Sequence, residues 1–359
     1  MKKSKIKVAV VYNEPEPEMY IKTNEEEIKQ PEFKTYFEVD KTTPMEEFEY
    51  IAKKLENVGF NAYTLNIRDS LELMLNNLRK EKPDLIFNFV EIYKENSRLE
   101  MNIAGLYELL GIPYTGAPAL SLANCQNKIL AKRLLSSGGI RIPHFYIVHA
   151  KASRYIHNLN YPLLVKPAYE DASVGIENDS IVNDSKQLRS RIEHVLKYFQ
   201  QPALIEEFIE GRELNVAVMG DRRLRVLPIS EIDFSEMPDH LHNIVSYQAK
   251  WDPQHESYHK TIPICPAPLP KNIEKRAKEI AFKAFKVMGC RDYARVDIRL
   301  DKNNKLYVLE VNPNPDITEG AGFMRSAEHS GMTYAQALKR IVKYALARGN
   351  NLKPASVPS

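Results

Sequence analysis

Residues 293–300 read Tyr-Ala-Arg-Val-Asp-Ile-Arg-Leu, and residues 306–312 read Leu-Tyr-Val-Leu-Glu-Val-Asn. Successive side chains of a strand point to opposite faces. Arg295, Asp297 and Arg299 therefore share one face, and Glu310 and Asn312 share one on the next strand. The link Asp301-Lys302-Asn303-Asn304-Lys305 suits a tight hairpin, because Asn tolerates positive φ. With Asn303-Asn304 as a two-residue loop, Asp297 falls opposite Glu310 and Arg295 opposite Asn312, with Cβ atoms about 4.5–5.5 Å apart. Two facing carboxylates repel, so something must compensate them. Carboxylate and amide oxygens suit magnesium, and magnesium held by few carboxylates completes its shell with phosphate oxygens. The hairpin thus predicts a metal beside a nucleoside triphosphate, with a solvated charged face as the competing reading.

Composition narrows how a nucleotide would be held. The chain has 359 residues but only 14 glycines, about 4% where roughly 7% is usual. No G-x-G-x-x-G occurs. Gly111 and Gly116 begin like a phosphate loop, but Ala117-Pro118 stands where Lys and Ser/Thr are needed. The charges nearly cancel, 50 Lys+Arg against 47 Asp+Glu for a net of +3, which gives no electrostatic case for a nucleic-acid partner. Hydrophobic residues make up 43%, enough for a real core. Cys125, Cys265 and Cys290 are scattered, as in a reduced cytoplasmic protein. No stretch reaches the ~18 apolar residues of a membrane span.

The order of elements gives an α/β fold class. Strands are expected near 6–12, 60–66 and 84–90, with helices near 45–58, 69–80 and 98–110. That alternation implies an open parallel sheet with helices on its faces. Residues 13–45, rich in Pro and acids, read as a long loop or insertion. One helix is expected over 118–138. Beyond it short strands dominate (161–166, 203–208, 214–219, 224–229), giving the C-terminal part an α+β character. An amphipathic helix over 271–288 puts Ile273, Ala277, Ala281 and Phe285 on one face, and a last helix spans about 333–347.

Six motifs in order give the chain, from about Leu109 to Arg340, a resemblance to the D-alanine–D-alanine ligase group of ATP-grasp ligases. They are GIPYTG (111–116), NKILAKRLL (127–135), PLLVKPAYEDASVGI (162–176), LIEEFIEGRELNVAV (204–218), SYQAKWD (246–252) and the metal hairpin. The resemblance implies an ATP-grasp fold behind an N-terminal open parallel α/β domain, divided as 1–117, 118–203 and 204–347 with a flexible tail over 348–359. It implies that Lys128, Lys166 and Lys250 meet phosphate oxygens and that Ser173 and Gly175 lie in a covering loop. Glu206 accepts from the adenine amino group, Phe208 packs on the base, and backbone around Glu207 and Ile209 reads its edge. Glu213 holds the ribose. Asp297, Glu310 and Asn312 hold two magnesium ions, with manganese as a substitute, and Arg295 stabilises an oxyanion. The implied activity is ATP-dependent ligation of a carboxylate to an amine through an acyl phosphate, on small amino-acid or peptide substrates. A homodimer is compatible with it. The other reading is an ATP-binding protein with a regulatory role, which the full set Lys166, Arg295, Asp297, Glu310 and Asn312 argues against.

The chain also departs from the group. A glycine-rich turn with a substrate-holding glutamate is replaced by Asn13-Glu14-Pro15-Glu16, and an H-G motif by Asn88-Phe89-Val90-Glu91. Ala172, Trp251, Ala321-Gly322 and Asp316 stand where the group has serine, tyrosine, serine-leucine and glycine. These changes point to substrates other than two D-alanines. One pattern stands apart: His255-Glu256-Ser257-Tyr258-His259 matches H-E-x-x-H, with Glu279 as a third zinc ligand. A metalloprotease would need both histidines on one helical face, and the prolines around the segment disfavour such a helix.

Overall fold

A computed structural model of the chain describes residues 5–17, 43–152 and 155–349. Most of the expected insertion at 13–45, and the tail from 350 onward, lie outside them.

The first unit is a parallel sheet. β1 (Lys7–Tyr12) carries α1 (Pro44–Asn57) to β2 (Asn61–Asn66), and α2 (Leu71–Glu81) leads to β3 (Leu85–Phe89). The order β2-β1-β3 makes β1 central, and Val8 to Val11 are wholly buried. An unbroken apolar run is what a strand covered on both faces requires. Next come α3 (Glu100–Leu110), α4 (Ala119–Gln126) and α5 (Lys128–Ser137). The single helix expected over 118–138 is therefore two. Asn127 breaks it: its backbone is extended, and its side chain caps α5 by accepting from the Leu130 N–H. The break places Lys128 in the first turn of α5.

Two antiparallel sheets follow. β4 (Phe145–Val148), β5 (Leu163–Pro167), β6 (Ile181–Val182), α6 (Ser185–His194) and β7 (Ala203–Glu207) form a small sheet of order β4-β7-β5-β6, with α6 packed on it through Leu188 and Ile192. The larger sheet uses β8 (Arg212–Gly220), β9 (Arg225–Val226), β10 (Ser230–Asp233), β11 (Ile262–Ile264), β12 (Asp292–Leu300) and β13 (Leu306–Asn312), ordered β11-β10-β8-β12-β13 with β9 on β8. The short helices α7 (Tyr247–Trp251) and α8 (Glu256–Lys260) lie before β11, and α9 (Lys271–Val287) before β12. α9 buries Ile273, Ala277, Ala281, Ala284 and Phe285 against one face of this sheet.

The opposite face joins the parallel sheet. α10 (Gly322–His329) and α11 (Tyr334–Gly349) fill the join, so Val8, Val10 and Phe87 share a core with Met219, Tyr293, Phe323 and Ile341. α11 runs two residues past the expected 347, and Arg348 is part of the structure. It grips Asp292, a wholly buried carboxylate that also accepts from the Gly116 N–H. Gly116 is needed there on two counts: its φ is +89°, and a Cβ would lie 2.3 Å from Asn314 Oδ1.

Candidate active site

The hairpin places its acids as expected, by a different route. Arg295 pairs with Asn312 and Asp297 with Glu310, but Leu300 pairs with Leu306. The turn is thus the five residues 301–305 rather than an Asn303-Asn304 loop. Asp301 holds it by accepting from the N–H groups of Asn303 (2.9 Å) and Lys305 (2.7 Å), and Asn304 takes a φ of 57°. A bulge between Asp297 and Ile298 restores the register at the acids. Leu309 is the extra residue, and consecutive Leu309 and Glu310 both line one cavity. Bulges re-aim side chains in this way beside functional sites.

That cavity, about 360 Å³, lies between the two antiparallel sheets. Lys166, Ser173, Glu206, Glu207, Phe208, Ile209, Glu213, Lys250, Arg295, Asp297 and Glu310 all line it. The three other expected site residues stand close by. Lys128 Nζ is 3.3 Å from Glu310, Asn312 Nδ2 donates to Asp297 at 2.8 Å, and Gly175 closes the loop that carries Ser173. One end of the cavity is apolar, with Leu164, Phe208, Ile209 and Leu309. The other is charged, with Lys250, Arg295, Asp297 and Glu310.

Charge is arranged tightly at the polar end. Arg295 grips Asp297 through two bonds of 2.7 and 2.8 Å, and Asn215 donates to Asp297 at 2.8 Å. Burial alone would push Glu310 up, but Lys128, Lys166, Lys250 and Arg295 together hold it far below the usual carboxylate range. Burial lowers Lys166 to about 8, and Lys128 adds to the shift. Glu310 and Glu213 oppose that shift without reversing it, and the Glu206 carboxylate lies 3.0 Å from Lys166 Nζ. Glu213 is raised by burial against the pull of Arg299, 2.9 Å away. Glu207 turns its side chain outward to the N–H and amide of Asn160, leaving its backbone to the cavity.

The donor set fits a hard cation. Two carboxylates and one amide converge, Glu310 stays ionised, and a half-turn of the Asn312 amide presents Oδ1 in place of Nδ2. Among the described residues no three His, Cys, Asp or Glu side chains gather as a metal cage. A metal here would need oxygen ligands from a bound phosphate.

The covering loop is fastened at both ends. Ser173 Oγ donates to the Val245 carbonyl at 2.8 Å, so the hydroxyl bridges the cleft. The Trp251 indole N–H donates to the Ala172 carbonyl at 3.0 Å. Arg191, buried on α6, donates to the Gly175 carbonyl and to Ser180. Gly175 has a φ of 75°, and a Cβ would lie 2.6 Å from Pro167 Cγ.

A second cleft of about 380 Å³ adjoins the first, with Lys250 on one side and Trp251 on the other. Glu14, Glu47, Glu91, Glu100 and Asp316 line it, with no lysine or arginine among its described lining residues. Burial first, then Asp316 and Asp171, raise Glu91 to about 7, although the residue as a whole is exposed. Burial and Glu91 raise Glu100 well above its usual range, against an amide bond from Asn314.

Pattern reading passed over three residues. Arg299 was placed on the right face without a role. It holds Glu213, donates to the Gly211 carbonyl, and sits 5.6 Å over the Phe208 ring. Arg325 lines the main cavity. Lys132 is buried beside Glu206. Its only signal was its spacing of four from Lys128, which equally suits a solvated helix face.

Similarity to known proteins agrees with the geometry. The sequence pattern described as "D-ala D-ala ligase C-terminus" matches residues 134–343. The chain belongs to the D-alanine–D-alanine ligase family. It is 31% identical over 250 residues to the D-alanine–D-alanine ligase of Desulforudis audaxviator, covering 68% of this chain and 77% of that one. It is 30% identical over 270 residues to the uncharacterized protein y4sG of Sinorhizobium fredii, covering 75% and 77%. In fold it resembles the Bacillus anthracis D-alanine–D-alanine ligase complexed with ATP, with a TM-score of 0.67, 22% identity, and coverage of 96% and 99%. The family member is thus an ATP-dependent ligase of C–N bonds with an ATP-grasp fold.

The H-E-x-x-H segment is put to other use. His255 is the N-cap of α8 rather than a member of it, and its Nδ1 accepts from the Ser257 N–H. Glu256 faces His240 at 2.8 Å, and His259 Nε2 lies 2.9 Å from the Pro253 carbonyl. Glu279 sits beside Lys275 on α9. Among the described residues no helix is long and apolar enough to cross a membrane.

Proposed function

We propose that this chain joins a carboxylate to an amine through an acyl phosphate, releasing ADP and phosphate, and that its substrates are not two D-alanines. The observation that carries this reading is where the departures from the group fall. Glu14, Asn88, Phe89, Val90, Glu91, Trp251 and Asp316 line the acidic cleft, while the residues expected at ATP surround the main cavity. A cleft with no lysine or arginine among its described lining residues suits a substrate that brings ammonium groups of its own.

In this reading ATP lies with its base against Phe208 and its phosphates toward Lys250 and Arg295. Glu206 accepts from the purine amino group, the backbone at Glu207 and Ile209 meets the base edge, and Glu213 takes the ribose. A substrate carboxylate oxygen attacks the γ-phosphorus, and the bond to the leaving ADP oxygen breaks. Lys128, Lys166 and Lys250 balance the charge of the transferring group. The loop carrying Ser173 and Gly175 excludes water from the acyl phosphate. The amine attacks the acyl carbon, Arg295 stabilises the oxyanion, and phosphate departs. Asp297, Glu310 and Asn312 would hold magnesium, which when bound neutralises phosphate charge. Residues 118–203 and 204–347 are assigned as the two halves of the grasp, with 1–117 contributing the substrate cleft.

Coupled ADP release from the purified chain tests this, with D-alanine alone against a panel of amino acids and diamines. Turnover that requires an amine outside D-alanine is expected. Fast turnover on D-alanine alone would sink the altered-substrate reading.

A further inference from the structure

Helix α5 sends two lysines inward, four residues apart. Lys128 meets Glu310 at the cavity. Lys132 does not line the cavity, and only 2% of its side chain is exposed. Its Nζ lies 2.5 Å from Glu206 Oε1, while Lys166 Nζ lies 3.0 Å from Glu206 Oε2. The Lys132–Glu206 contact is an ion pair without hydrogen-bond alignment, for neither Lys132 Nζ nor Glu206 Oε1 has an aligned partner. One buried carboxylate is therefore held between two lysine side chains, and Glu206 itself lines the cavity beside Leu164 and Phe208.

Stability does not account for this arrangement. A buried ion pair seldom outperforms apolar packing of the same volume, and a methionine has nearly the shape of Lys132. Burial and the cations Lys166 and Lys128 all work against the Lys132 ammonium. What Lys132 supplies is a fixed carboxylate. Without it, Glu206 would follow Lys166 alone, and Lys166 must also serve the phosphates.

We propose that Lys132 is a positioning residue for the nucleotide: by fixing Glu206 at the base end of the cavity, it selects a purine with an N–H donor at its six-position over one with an oxygen there. This rests on the reading that places the base at Glu206. A carboxylate oxygen accepts from an amino group and meets a carbonyl oxygen with its own lone pairs. Such unpaired polar contacts are what make a hydrogen-bonding site discriminate strongly.

The test compares magnesium–ADP with magnesium–IDP, which carries an oxygen at that position and a hydrogen on the neighbouring N1, by calorimetric titration of the full chain. The ratio of the two dissociation constants on one sample cancels any loss of folded protein. The wild type is expected to favour ADP by about tenfold or more. Lys132→Met should bring that ratio down by at least about fivefold. Glu206→Gln should collapse it, since an amide can present donor or acceptor. An unchanged ratio in Lys132→Met with a collapsed one in Glu206→Gln would overturn the role of Lys132 and leave the placement of the base standing. No preference in the wild type, or an unchanged ratio in Glu206→Gln, would overturn both.

Discussion

Lys166 should give nucleotide binding a measurable pH dependence, with a sign opposite to its effect on folding. Burial, aided by Lys128, lowers this lysine to about 8 in the empty site. Phosphate oxygens would return it toward an ordinary lysine value of about 10.4. The bound state then has the higher pKa, so binding takes up a proton between those limits. Affinity is full below about pH 8 and falls as pH rises through the window. Returning from about 8 to about 10.4 corresponds to about 3 kcal/mol. Between pH 7 and 9.5, magnesium–ADP affinity should drop about 25-fold. Folding runs the other way. The unfolded lysine titrates near 10.4 and the folded one near 8, so the unfolded chain binds more protons in that window, and this group makes the ligand-free protein more stable as pH rises. Calorimetric titrations in two buffers of different ionisation enthalpy, at pH 8.5, read the proton uptake directly. Lys166→Met should remove both the uptake and its share of the slope. If the variant keeps the wild-type slope, or the wild type takes up no proton, then Lys166 is not the titrating contact.

Three further outcomes follow from the geometry. Arg295→Met should lower turnover by about 10²–10³ if Arg295 faces the oxyanion; a loss below about tenfold, in phosphate release with the substrate found by profiling, would remove it from that role. Gly175→Ala must adopt a φ of 75° with its Cβ against Pro167. It should lose about 1–3 kcal/mol of stability and loosen the loop, which the single tryptophan, Trp251 on the Ala172 carbonyl, reports by fluorescence. Arg348→Met leaves the buried Asp292 without its guanidinium partner, with the Gly116 N–H and the charge of Arg291 remaining, and should destabilise by about 3 kcal/mol in urea, with Asp292→Asn in the same chain restoring part of it; an effect under about 1 kcal/mol would mean the Asp292 carboxylate is neutral.

The sequence disclosed faces better than distances. Period-two alternation is a local property, so Arg295, Asp297 and Glu310 were legible as neighbours from their spacing alone. The parallel sheet was legible too, since an unbroken apolar run such as residues 8–11 has its stable home between two layers. The bulge at Asp297 was not, because it goes with a five-residue turn closed on Asp301, and two errors of one residue cancelled at the acids. The break at Asn127 was hidden by the good helix formers on either side of it. Lys132 was least visible of all. A lysine four residues from another reads as a wet helix face until Glu206, 74 positions away in the chain, is placed beside it. What period and composition miss is the pairing that makes a buried charge tolerable, and in an ATP-grasp enzyme that pairing decides which charges remain for the nucleotide. Glu206 is held by two lysines, and Glu310 is kept ionised chiefly by Lys128 and Lys166. Lys166 is shared between those two acids and Lys250 also faces the cavity, so a polyphosphate meets lysines that no single carboxylate claims.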